Sequence, residues 1–183
     1  SGNDEHARAV ARQMLPREGA ASIPKLLVLL KNDNPNVWWA ANAVLKDILN
    51  ELHAPAYAKQ RQSAAEQLLA MLSPNESLAI NDRVLRLLPI AVPSTKVDLS
   101  PLAALLSNAD LREKAREALG EINTKEAAEV IAAALDAADP DFKVALLNTS
   151  VHMRDQALVA AARKLLADQS PAIRSAAARA VAW

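Results

Sequence analysis

Histidine is the side chain best suited to acid–base work and metal ligation near neutral pH, and this sequence has three, His6, His53 and His152. None has a Glu or a second His at i+3 or i+4, the spacing that sets two ligands on one helix face. Three glycines leave no room for a Gly-rich phosphate loop, and the absence of cysteine excludes disulfides and thiolate zinc sites. No Ser, Thr or Lys lies in a nucleophile motif. The expectation is a non-enzyme with no catalytic residue, no metal and no cofactor.

Contact chemistry is a different matter, because the stretch NVWWAANAVL sets Trp38 beside Trp39. A buried tryptophan removes on the order of 200 Å² from water and often anchors an interface with about 2 kcal/mol or more. On a helix, Val37, Ala41, Val44, Leu45 and Ile48 define one core stripe. Trp39 then points roughly 170° away from it, and Trp38 lies about 75° off, on a flank. Trp38 is expected to fill a groove against a leading helix from Asn3 that carries Ala7, Val10 and Met14. Trp39 is either covered by that helix or by the loop near Tyr57, or it is exposed as an anchor.

The elements that hold these residues are helices. Hydrophobic residues make up 51% of the 183-residue chain but aromatics only 3%, so the core is aliphatic and small, which suits close helix packing. An N-cap residue followed by proline marks helix starts at Asn34-Pro35, Ser73-Pro74, Asp139-Pro140 and Ser170-Pro171, since proline's missing N–H is no loss in a first turn. Ser73 and Glu76 have capping-box spacing.

After each start the apolar spacing repeats, with lead residues Val37, Ile80, Leu111, Phe142 and Ile173. The last four leads are 31 residues apart and the first gap is 43. The extra residues of that gap, around NELHAPAYAKQRQ, are expected to lengthen a helix and add a loop with Pro55 and Tyr57. AVPSTKVDLS forms a second irregular link. A leucine-rich helix precedes each lead, ending at Leu30, Leu72, Leu106, Leu135 and Leu166, so the unit is a helical hairpin. A two-helix period of this length marks an α-solenoid, whose hairpins bury their apolar faces only by stacking.

The segments DNPNVWWAANAVL, ADLREKAREALG, DPDFKVALLNTS and QSPAIRSAAARAVAW resemble the first helix of HEAT repeats, and SIPKLLVLLKN resembles the second. The Ile80 repeat lacks the family's arginine, and the polar pair Thr149-Ser150 departs from its core pattern. The resemblance implies an all-α, right-handed α-α superhelix of about five hairpins plus a leading helix, spanning residues 1–183 as one repeat domain. It implies a protein-interaction scaffold with a concave face. On that face the leucine-rich helices are expected to present Lys125, Glu126 and Glu129, with Arg154 and Gln156 in the next repeat. Together with Trp38 and Trp39 these are the candidate contact residues.

Two other classes compete. HEAT-like hydroxylases hold two irons with paired His-Glu motifs, and EHA, LHA and VHM contain none. HEAT-like DNA glycosylases use a basic groove with Trp and Asp, whereas 21 basic residues here balance 21 acidic ones. Arg154, Arg163, Lys164, Arg174 and Arg179 gather late but alternate with Asp155 and Asp168, as on a solvated face. A structural spacer within a multidomain protein is the remaining alternative.

No nucleic-acid partner and no membrane insertion are expected, the longest apolar run being the short IPKLLVLL. The first residue is not methionine, and the last helix, ending at Trp183, has no leucine-rich partner after it. The chain is therefore read as a piece of a longer one, its partners being another protein, another domain of the parent chain, or a second copy.

Overall fold

The computed structural model describes residues 19–182, and all regular structure among them is helical. His6, the expected leading helix and Trp183 lie outside the described residues. The chain divides into two compact units, Ser1–Leu72 with Glu76–Val97 and Ser73–Asn75 with Asp98–Trp183.

In the first unit a short 3-10 turn leads into α1 (Ile23–Leu30), followed by α2 (Pro35–Glu51), α3 (Ala58–Leu69), α4 (Leu78–Leu85) and α5 (Leu88–Ala91). The Asn34-Pro35 start forms as expected, with the Asn34 side chain accepting the Asn36 N–H at 3.0 Å. At 17 residues α2 absorbs part of the long gap, and the rest forms the link through the 3-10 turn Pro55–Tyr57. Its inward residues Ala41, Val44, Leu45, Ile48 and Leu49 are buried, as are Ile23, Leu26, Leu27 and Leu30 of α1, which packs on it.

The expected start at Ser73-Pro74 is not a helix start. The Ser73 hydroxyl accepts the Asn75 N–H in a local turn, and Glu76 is drawn into an ion pair with Lys31 at 2.7 Å. The helix begins instead at Ser77, whose hydroxyl accepts the Ile80 N–H. Pro89 then interrupts the run, because it has no N–H for the Leu85 carbonyl and its ring crowds that oxygen. Val84, Leu87 and Leu88 are nonetheless buried, so the core register survives the break. Beyond α5, Ser94 in the irregular link takes a positive φ of 65°.

The second unit comprises α6 (Ser100–Leu105), α7 (Arg112–Ile122), α8 (Lys125–Ala137), α9 (Pro140–Met153), α10 (Gln156–Lys164) and α11 (Pro171–Val181). Here the 31-residue spacing is a spacing of structure as well as of letters. Leu111, Phe142 and Ile173 are buried, and so are Ala115, Leu146 and Ala177, then Ala118, Thr149 and Ala180. The turns repeat too. Asn123 and Arg154, both left-handed at φ 49°, end α7 and α9. The next residues, Thr124 and Asp155, cap α8 and α10 by accepting the N–H groups of Ala127 and Ala157. A left-handed residue stops a helix and the side chain after it starts the next, which makes a tight hairpin corner.

Thr149 and Ser150, the polar departures in the α9 core, have their hydroxyls paired. Thr149 donates to the Ala145 carbonyl and accepts from Arg116, and Ser150 donates to the Leu147 carbonyl at 2.6 Å. Desolvation is thereby offset. Gly120 faces the same threonine across the α7–α9 contact, where a Cβ would stand 2.8 Å from the Thr149 methyl.

Candidate interaction surface

Trp39 stands on the outer side of α2 with 58% of its surface exposed, whereas Trp38 is half-buried. The described neighbour of Trp38 is a cation. Arg83, from α4, lies over its ring at 4.2 Å from the centroid. The same guanidinium donates through Nη1 to the Leu30 carbonyl at 2.6 Å and the Asn32 carbonyl at 3.3 Å. Those carbonyls sit at the C-terminal end of α1, where unpaired C=O groups and the helix dipole favour a cation. Arg83 thus joins three elements of the first unit, and Ala7, Val10 and Met14, the expected cover for Trp38, lie outside the described residues.

In the second unit Lys125, Glu126 and Glu129 are exposed on α8, with the Lys125 and Glu129 side chains 3.6 Å apart. Such a solvated i,i+4 pair contributes about 0.3–0.5 kcal/mol. Arg154 is exposed in the left-handed corner between α9 and α10, and Gln156 opens α10. Of the expected contacts, Gln156 lines a hollow of about 430 Å³ together with Val159, Ala160, Arg163 and Val181. The late basic residues divide. Arg174 donates to the carbonyls of Asp168 and Gln169, and Arg179 to Ser175 and the Asn148 side chain. Among the described residues the side chains of Arg163 and Lys164 make no hydrogen bond or ion pair.

Val159, Ala160 and Val181 are absent from the contact residues expected from sequence, where Arg163 figures only as a solvated basic residue, and the 31-residue register is the signal that reaches them. One period earlier their counterparts are Ala128, Glu129, Ala132 and Ser150, of which Ala128 and Ser150 are buried. Arg112 repeats the arginine–aromatic theme, with its guanidinium 4.7 Å from the Phe142 centroid and paired with Asp139, the N-cap of α9. Asp139 accepts the Phe142 N–H as well, and this bond first and Arg112 second hold its carboxyl below the usual range. Glu76 is likewise lowered, first by the hydrogen bond from Lys31 and then by the Ser77 N–H.

Among the described residues no group of three or more His, Asp or Glu side chains is placed to hold a metal ion. None of their helices is long and apolar enough to cross a membrane. His53 meets Arg61, its Nδ1 lying 3.2 Å from Nη1 of that buried guanidinium.

No family model matches the chain, and no curated protein matches it. Among solved structures, an engineered protein determined by the Northeast Structural Genomics Consortium is similar over 98% of this chain and 90% of its own, at 18% identity and a TM-score of 0.49.

Proposed function

We propose that this chain is a HEAT-like α-solenoid that acts as a non-catalytic protein-interaction module. The observation that carries the reading is the recurrence, every 31 residues in the second unit, of the same buried positions and the same hairpin corner. Each hairpin there buries its stripe against the next, as α7 does on α9, α9 on α11 and α8 on α10. Stacking of this kind leaves one face of each helix for solvent or for a partner, and it builds no enclosed site. Trp39, the α8 residues Lys125, Glu126 and Glu129, and the α10 residue Gln156 occupy such outward positions.

Deleting one whole period, residues 140–170, tests the architecture. A stack of nearest-neighbour units loses that hairpin's share of helical signal and still unfolds cooperatively. Loss of all helical structure would refute the repeat reading. Fluorescence anisotropy with labelled single- and double-stranded oligonucleotides tests the function. Micromolar binding that falls steeply with salt would replace the protein-interaction reading with a nucleic-acid one.

A further inference from the structure

We infer that the groove between α10 and α11 seats one amphipathic helix of a partner protein, aliphatic on its inner stripe and acidic on its flank. This rests on the reading of the chain as a stacked interaction module.

The second unit shows what fills such a groove. One period earlier the corresponding walls are α8 and α9, and a helix, α10, packs against both, with its own Leu158 and Ala162 at 1% and 0% exposure. Along those earlier walls Ala128, Ser150 and Leu135 are 1%, 2% and 2% exposed. The same three positions 31 residues later are Val159, Val181 and Leu166. Their side chains are as large or larger, yet Val159 and Val181 are only half-buried and Leu166 is 41% exposed. The floor is aliphatic, and the helix that covers both matching walls one period earlier points to a helix as its complement.

Charge selects among helices. Arg163 lines the hollow and Lys164 follows it, both in the last turn of α10, and neither charge is in an ion pair among the described residues. A carboxylate on the incoming helix would meet Arg163 at the hollow. A second copy docking by the same face would instead bring two Arg163 guanidinium groups together, which disfavours a symmetric dimer.

The test uses the full chain and a helix-stapled, fluorescein-labelled peptide with the α8 sequence Lys125–Ala137. That peptide has Ala127, Ala128, Ile131 and Leu135 along one stripe and Glu126, Glu129 and Asp136 beside it. Anisotropy should show saturable binding, weakened about tenfold or more by Val159→Asp or by Arg163→Glu in the chain. A peptide with its three acidic residues changed to lysine should bind as weakly. Thermal melts of both variants establish that they are folded, and exposed Arg163→Ala is a milder second probe.

Equal binding of acidic and basic peptides would overturn the charge assignment. Binding abolished by Trp39→Ala but untouched by Val159→Asp would overturn the seat while leaving the interaction module standing, and absence of any binding would overturn the seat likewise. A dimer in light scattering that Arg163→Glu dissociates would put a second copy in the groove and overturn the partner assignment.

Discussion

Both units lay an arginine over an aromatic ring, but the two arginines do different jobs. In the second unit Arg112 covers Phe142 and pairs with Asp139, so a side chain at one helix start is tied to the cap of the helix one period on. In the first unit Arg83 covers Trp38 and anchors on the Leu30 and Asn32 carbonyls, more than 50 residues back along the chain. Where spacing is regular, a side-chain pair suffices because the repeat brings the partners into line. Where the gap is long and Pro89 breaks the helix, the link is to backbone, which any sequence supplies. The ring is buried in the regular unit, at 3% exposure for Phe142, and only half-buried in the irregular one.

The largest expected difference follows from that burial. Phe142→Ala should destabilise the second unit by about 3–5 kcal/mol, through lost transfer energy and the cavity left behind. Trp38→Ala should cost the first unit less, since part of that side chain already meets water. Hydrogen exchange, resolved helix by helix, separates the two. Equal losses would mean that the contrast in burial has no energetic counterpart.

Gly120→Ala comes next. A new Cβ 2.8 Å from the Thr149 methyl must push something aside, and Thr149 is held by both Arg116 and the Ala145 carbonyl. Overpacking of about 1–3 kcal/mol should outweigh the roughly 1 kcal/mol that alanine gains over glycine in a helix. Adding Thr149→Ser removes the methyl and should recover most of the loss in urea unfolding. If the single variant is more stable than the parent, the two helices are not in tight contact there.

Arg83→Met tests the other unit. Two charged hydrogen bonds and a cation–π contact disappear, and a loss of about 1.5–3 kcal/mol is expected in the exchange of α1 and α4, the second unit being untouched. Arg83→Lys should recover part of it, because a point charge reaches one carbonyl but cannot spread over the ring.

What the sequence made legible follows the same division. Asn34-Pro35, Asp139-Pro140 and Ser170-Pro171 do start helices, and the buried positions of the second unit fall on the 31-residue register. These are local signals repeated. Ser73-Pro74-Asn75-Glu76 has a capping-box pattern but no helix, because Lys31 takes the glutamate the box needs, from 45 residues away. Arg83 was equally hidden, being one basic residue on a short helix until folding sets Trp38 beneath it. The hollow needed a further step: comparing what one period buries with what the next leaves open.

The smallest effect is the sharpest, because it compares causes rather than sizes. Glu76 and Asp139 both titrate below their ordinary values of 4.5 and 3.8, so each stabilises the fold above those values and loses that contribution as pH falls through the lowered folded-state pKa. Their largest causes differ. For Glu76 it is the hydrogen bond from Lys31, whereas for Asp139 it is the N–H of Phe142, with Arg112 second. Lys31→Met should therefore remove the largest single cause of the Glu76 shift and raise it toward its ordinary value, while Arg112→Met leaves the largest cause at Asp139 in place. Carbon-detected NMR titration of the two carboxyls reads both. If Asp139 returns fully in Arg112→Met, the cation and not the cap holds its charge, and the regular unit then depends on a side-chain pair as completely as the irregular one depends on Arg83.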